Sequence, residues 1–271
     1  MATQRDHGMA YEIAVEASRR LLRLRSEQGP QPDDPASIKA FAELADRTSN
    51  DWILARIQEA FPADAILSEE SEDDRARLTA DRCWIVDPVD GTWEYSRDRN
   101  DFAVHIALWE RGRGLTAGTV AVAANGEFWS THELGTMPHL ATLPTDRNVR
   151  IVVSRTRPLK RENEFVSHLA DALAPAQVPG VTLVRVGSVG AKVGEVLAGR
   201  ADAYVSESGF YEWDGAAPAA VAEAAGLIVA KLDGAPHTYN NPDVKMPGFV
   251  VAPEWLAQPL SAVLQARQAR N

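Results

Sequence analysis

Apolar side chains recur at helical spacing early in the chain, at Ile13, Ala14, Ala17, Leu21 and Leu22, and predict a first helix over residues 11–28. Gly29, Pro30, Pro32 and Pro35 mark the loop 27–36 that follows. A second helix is predicted over 40–60. Its apolar positions Phe41, Leu44, Ile53, Leu54 and Ile57 keep only a loose period, which predicts a break across 46–50, and Pro62 ends it. The pattern then shortens to strands. Residues 65–67 are a brief apolar run, and 83–86 are apolar without interruption, as in a strand covered on both faces. Segments 102–109, 116–123 and 127–131 read as an antiparallel run, with turns at Gly112, Gly114, Asn125 and Gly126. From Val149 strands and helices alternate. Strands are predicted at 149–154, 182–186, 203–205, 227–231 and 248–251, and helices at 162–173, 189–197, 214–225 and 255–267. This order predicts an α/β or α+β layered fold, with a boundary at 144–148 dividing the chain into units 1–145 and 146–271.

Composition alters this picture little. The 271 residues are 45% hydrophobic and 24% charged, ordinary for a globular chain of one or two closely packed units. No apolar run approaches a membrane span and the polar start has no signal-peptide core, so a cytoplasmic protein is expected. Cys83 is the single cysteine, which excludes an internal disulfide and predicts a buried, inert thiol beside an apolar strand. The net charge of −10 argues against nucleic acid or an anionic membrane as partner. It also means that an anionic substrate needs a local source of positive charge, for which a bound divalent cation is the direct candidate.

Four acidic segments stand out. Glu69 and Glu70 follow a short strand. Asp87-Pro88-Val89-Asp90-Gly91-Thr92 lies directly beyond the apolar strand. Asp214 opens a predicted helix, and Asp46 falls in the predicted break. Magnesium takes carboxylates, water and substrate phosphate as ligands, and two ions about 4 Å apart can clamp the attacking and leaving oxygens. Pro88 fixes its own φ and lacks an amide hydrogen, so it stiffens the turn carrying Asp87 and Asp90 and can aim the Val89 carbonyl inward. Gly91 lets backbone approach a ligand, and a helix beginning near Thr92 would offer free amides to phosphate oxygens. Singly, Asp214 reads equally well as a helix cap, Glu69 and Glu70 as a solvated loop, and Asp46 as a surface residue. An acid-Pro-x-acid-Gly-Thr run straight after a buried strand is harder to explain as a turn.

The Glu69-Glu70-Ser71 run, the stretch from Trp84 to Thr92 and Trp213-Asp214 with its Ala-rich continuation resemble the inositol monophosphatase superfamily of lithium-sensitive, metal-dependent phosphatases. The resemblance implies an αβαβα fold. It implies Mg2+, two or three ions per site, held by Glu69, Asp87, the Val89 carbonyl, Asp90 and Asp214. It implies a water activated by Thr92 and Glu69 that attacks phosphorus in line, with Asp46 supporting a further metal through water, and inhibition by Li+. A homodimer is expected only because relatives are often dimers. Leu67 to Glu70 and the stretch Asp87 to Trp109 are similar in finer detail to CysQ-type 3'(2'),5'-bisphosphate nucleotidases. Gly187-Ser188-Val189-Gly190-Ala191-Lys192 and the run Tyr211 to Asp214 resemble the actinobacterial members. These remove the 3'-phosphate of 3'-phosphoadenosine 5'-phosphate, a by-product of sulfate activation.

One departure bears on substrate. Many bisphosphate nucleotidases carry an Arg shortly after the Asp-x-Tyr strand, where Ser206 and Glu207 stand in this chain. Glu207 falls where inositol phosphatases use a Glu for substrate hydroxyls, and Lys192 can supply charge for a 5'-phosphate instead. Substrate contacts are therefore expected from Asp90, Gly91, Thr92, Ser188, Lys192, Glu207 and Asp214, with an inositol or sugar monophosphatase as the alternative. The segment from Gly187 to Lys192 lacks the spacing of a nucleotide-triphosphate loop. His105 alternates within a strand and is expected to be a hydrogen-bonded core residue, and His132 and His139 loop residues. Trp93, Tyr95 and Tyr211 read either as an aromatic wall for a base or as packing between layers. Arg267 and Arg270 read as a small solvated charge cluster.

Overall fold

The first helix, α1 (Gln4–Gln28), begins before the apolar periodicity does, because Thr3 caps it. The Thr3 hydroxyl accepts the Asp6 amide and the Asp6 carboxylate accepts the Thr3 amide, so two otherwise orphaned donors are satisfied reciprocally. The computed structural model describes residues 2–30, 33–135 and 137–268; Arg270 lies outside them. Helix α2 (Pro35–Ala60) starts with Pro35 at its first turn and runs on without the expected break. Its polar residues 46–50 are polar for another reason, described with the site.

Strands β1 (Ala65–Ser68), β2 (Arg82–Asp90), β3 (Ala103–Glu110), β4 (Gly114–Val122) and β5 (Glu127–Ser130) form the first sheet in that order. Only β1 and β2 pair in parallel; the rest are antiparallel. A four-residue helix, α3 (Thr92–Tyr95), follows β2 at once. The second sheet has the order β10-β12-β8-β6-β7, from β6 (Val149–Ser154), β7 (Val181–Val186), β8 (Ala203–Ser206), β10 (Ile228–Ala230) and β12 (Phe249–Ala252). Helices α4 (Glu162–Leu173), α5 (Val189–Leu197), α6 (Glu212–Ala224) and α7 (Glu254–Gln268) alternate with these strands. A short ribbon pairs β9 (Phe210–Tyr211) with β11 (Lys245–Met246). No helix among the described residues is long and apolar enough to cross a membrane.

The layers follow from the two-residue period of the strands. Trp84 and Val86 of β2 and Ile106 and Leu108 of β3 pack with α1 and α2. Cys83, Ile85 and Ala107 face the other way, against α5 and α6. The far side of those two helices meets Val152, Tyr204 and Val251 of the second sheet in the same continuous core. Ile151, Val153 and Val205 then face α4 and α7. The result is an αβαβα sandwich whose central helices serve both sheets. Cys83 is fully buried, and desolvation pushes its thiol up to about 12, as expected for an inert cysteine. Arg267 is not a solvated residue: it is 6% exposed and donates to Glu207.

Candidate active site

β2 ends in an irregularity. Pro88 cannot donate to the ladder, and the register with β3 slips between Asp87 and Asp90. The slip brings both acids to the same end of the strand. Asp87 Oδ1 accepts the Val89 amide at 3.0 Å, which locks the turn. Gly91 stands at φ 89°, a conformation that disfavours a side chain, and a β-carbon there would lie 3.0 Å from Ser188 Cβ. The chain can then turn sharply into α3.

Helix α2 supports these loops through its polar residues. Ser49 donates to the Pro88 carbonyl (3.0 Å), Ser68 donates to Asn50 Oδ1 (2.7 Å), and Asn50 donates to Ser71 (3.3 Å). Asp46 accepts from the Thr92 hydroxyl at 3.1 Å. The residues that weaken the apolar period of α2 are therefore a row of contacts to both acidic loops, each worth about 1 kcal/mol net.

From the second half of the chain, Asp214 arrives on the first turn of α6, its Oδ2 accepting the Tyr211 amide at 2.7 Å. Carboxylate oxygens of Asp87, Asp90 and Asp214 lie within 4.8 Å of one another. Asp87 and Asp90 are buried, and no Lys or Arg among the described residues pairs with any of the three. Burial and mutual repulsion act on this group together. Asp87 is raised well above the usual carboxylate range by desolvation and by Glu69. Asp214 is pushed up to about 6 by desolvation and by Asp90. Glu69, though still open to solvent, is pushed up to about 8 by the desolvation of its carboxyl and by Asp214 and Glu70. Asp46 is pushed up to about 7 by burial and by Glu70. Asp90 differs: burial would raise it, but His105, Lys192 and the Gly190 amide hold it below the usual range. A cluster of hard oxygen donors with this much unneutralised charge fits divalent cations, and the all-oxygen donor set suits Mg2+.

Glu69, Asp87, Val89, Asp90, Gly91, Thr92, Ser188 and Asp214 all line one cleft of about 390 Å³. The Thr92 hydroxyl shares its single proton between Asp46 and the Val89 carbonyl (2.9 Å). Ser188 caps α5 by accepting the Ala191 amide, and the amide just before it, Gly190 N, donates to Asp90 at 2.8 Å.

Two expected substrate residues lie elsewhere. Lys192 is 2% exposed, donates to the Gly187 carbonyl and sits over the Tyr204 ring; burial lowers it to about 8. Glu207 accepts from the Lys160 amide (2.7 Å) and from Arg267, so its carboxylate is already engaged in joining α7 to the loop before α4. Neither lines the cleft. The aromatic residues divide. Tyr95 is packing, fully buried between Phe41 and Phe102 with its hydroxyl on the Leu21 carbonyl. Tyr211 stacks on Trp213, whereas Trp93 is 44% exposed on the cleft wall with the Arg97 guanidinium 4.6 Å from its ring.

Sequence reasoning missed Arg157. It lines the cleft with Ser154 and Thr156 and is exposed, its guanidinium hydrogen-bonding among the described residues only to the Gly209 carbonyl, at 3.5 Å. The signal was present: Ser154-Arg155-Thr156-Arg157 follows the carboxyl end of β6, where open α/β sheets place ligands. Its neighbour Arg155 is committed, donating to Glu94 and to Asp101 (2.5 Å). Asp101 in turn accepts the Gly187 amide, which fixes the loop before α5.

The inositol monophosphatase family profile matches residues 4–268. A 3'-phosphoadenosine 5'-phosphate phosphatase of Mycobacterium leprae is 38% identical over 270 residues, covering 96% of this chain and 93% of that one. One of Mycobacterium bovis is 40% identical over 242 residues, covering 87% and 84%. Among solved structures, CysQ from Bacteroides thetaiotaomicron superposes with a TM-score of 0.71 at 26% identity, covering 93% of this chain and 98% of that one.

Proposed function

The chain belongs to the inositol monophosphatase family and is a phosphatase, and we propose that it removes the 3'-phosphate of 3'-phosphoadenosine 5'-phosphate. The observation that carries this reading is one cleft with an acidic cluster and an exposed arginine. The acids Asp87, Asp90 and Asp214 suit Mg2+ at the scissile phosphate. Arg157 suits a second phosphate on the same molecule, because a guanidinium takes phosphate oxygens as a fork. Trp93 then offers its exposed face to a base.

Mg2+ held by Glu69, Asp87, the Val89 carbonyl, Asp90 and Asp214 would supply the Lewis acidity that the attacking and leaving oxygens need. The protein's own groups handle the proton. Thr92 faces the cleft with Asp46 behind it, and a carboxyl near 7 is poised to accept a proton from the attacking water through the Thr92 hydroxyl. Glu69 is the second group whose pKa suits a base. Water adds to phosphorus, the bond to the 3'-oxygen breaks, that oxygen takes up a proton from solvent water in the open cleft, and the products are inorganic phosphate and a 5'-nucleotide with a free 3'-hydroxyl. The amides at Gly91 and Thr92 would take the phosphate oxygens, with Ser188 packed beside Gly91 on the cleft wall.

Phosphate release at fixed Mg2+ tests the reading, comparing 3'-phosphoadenosine 5'-phosphate, inositol 1-phosphate and fructose 1,6-bisphosphate on the wild type and on Arg157→Ala. The nucleotide is expected to lead by about a hundredfold in kcat/KM, roughly 2.7 kcal/mol, and the variant to lose at least about tenfold of that lead. A flat or inverted profile would assign a broad sugar-phosphate phosphatase. A full lead in the variant would remove Arg157 from the second-phosphate role.

A further inference from the structure

We propose that His105 and Gly190 together are a positioning device for Asp90, tying its carboxylate to the start of α6 so that Asp90 and Asp214 keep a fixed spacing for the cation. The proposal rests on the cation reading above. His105 is fully buried on β3, yet each ring nitrogen faces a different half of the site. Nδ1 lies 3.3 Å from the Trp213 carbonyl. A carbonyl only accepts, so Nδ1 carries the hydrogen of that bond. Nε2 lies 3.1 Å from Asp90 Oδ2, off the line of an ideal hydrogen bond; the carboxylate also only accepts, so this contact holds Asp90 when both ring nitrogens carry hydrogen. The same Oδ2 accepts the Gly190 amide at 2.8 Å. Both contacts fall on one oxygen, and no described protein group donates to Oδ1, which is left for a ligand.

Gly190 has a steric part in this as well. A β-carbon there would collide with His105 Nε2 and come within 2.8 Å of Ala103 Cβ and Val120 Cγ1. The absence of a side chain at 190 is what lets the imidazole stand between α5 and β3 and lets the amide reach Asp90 at once. Trp213, whose carbonyl anchors the other nitrogen, immediately precedes Asp214. Four residues far apart in the chain, 90, 105, 190 and 213, thus form one connected strut between two ligand-bearing segments. Groups that orient metal ligands typically contribute about ten- to a hundredfold in metal affinity. A ring that only filled space would contribute none.

The test is Mn2+ titration calorimetry on the full-length protein, with melting temperature measured in chelator, for His105→Leu, His105→Gln and His105→Asn. Gln reaches the place of Nε2 and keeps the contact with Asp90; Asn reaches that of Nδ1 and loses it. Expected are an affinity loss of about tenfold or more in the Leu and Asn variants and recovery to within about threefold in Gln. That pattern is to hold whatever the order of the three melting temperatures. Wild-type Mn2+ affinity in Leu, or in Asn should Leu fail to fold, overturns the proposal alone, as do equal losses in Gln and Asn. Failure of the wild type to take up Mn2+ overturns the cation reading and the proposal with it.

Discussion

Two pairs of aspartates in this molecule, buried except for the half-buried Asp214, are treated in opposite ways. Asp6 is 2% exposed and receives the Thr3 amide, the Thr3 hydroxyl and the Arg82 guanidinium at 2.5–2.7 Å. Burial works to raise its carboxyl, but Arg82 and Thr3 more than compensate and hold it below the usual range. Asp202, also buried, is gripped by both terminal nitrogens of Arg147 at 2.7 Å and by the Arg150 amide. Asp87 and Asp214 each take a single backbone amide, at 3.0 and 2.7 Å. The first pair are structural joints with their counter-charge built in. The second pair are left short of positive charge, and in a stable fold that shortfall marks a place for something the chain does not itself provide.

The comparison can be broken at its most exposed point by Asp90→Asn. Asn keeps the volume and still accepts from Gly190, so the fold is expected to persist with a melting temperature in chelator within about 3 °C of wild type. Turnover is expected to fall at least about a thousandfold, because a charge that the cation needs is gone. Near-wild-type phosphate release would remove Asp90 from the site. The converse is Asp6→Ala, which leaves Arg82 with only Asp64 as a close carboxylate partner and removes the acceptor of the Thr3 amide and hydroxyl. Because Arg82 is a quarter exposed, a loss of about 2 kcal/mol in denaturant unfolding is expected, with kcat/KM of the folded enzyme unchanged. A drop in kcat/KM with stability unaltered would show that the two classes are not separate.

The smallest effect sharpens the comparison through pH. Asp214, Asp46 and Glu69, at about 6, 7 and 8, lie above the unfolded carboxylate value of about 4. Each therefore takes up a proton on folding, and its contribution to stability is full at low pH and lost as pH rises through the folded value. Melting temperature in chelator is expected to fall by a few degrees between about pH 5.5 and 8.5, and saturating Mg2+ to flatten the slope. A chelated protein that gains stability over that range would contradict the charge shortfall.

Much of this was legible in the sequence, and the parts that were not share a cause. The Asp87 to Thr92 run, the strand at 149–154 and the helices at 162–173 and 189–197 are local patterns, and their bounds match the structure. The apparent break in α2 is the case in which periodicity misled. Asp46, Ser49 and Asn50 disturb the apolar stripe because they face the acidic loops rather than solvent. The four-residue α3 and the two-residue β9 and β11 are too short to carry a period. Lys192 looked like a substrate group because its charge suits a phosphate, and Glu207 because it falls where inositol phosphatases hold substrate hydroxyls. Their partners, Arg267 and the Gly187 carbonyl, are fixed by tertiary packing that spacing does not encode. Arg157 was overlooked for the mirror-image reason: what distinguishes it from Arg155 is that no carboxylate among the described residues forms an ion pair with it.

The seal over Cys83 has a consequence for how such an enzyme responds to its surroundings. The chain's one thiol lies under the central helices, away from the cleft wall, and is not ionised near neutral pH. The groups assigned to the reaction are carboxylates and a hydroxyl, which peroxide leaves alone. Oxidants that silence thiol-dependent phosphatases find no cysteine in this cleft, so under the proposed mechanism the throughput of the enzyme is expected to follow the supply of metal ion rather than the redox state around it.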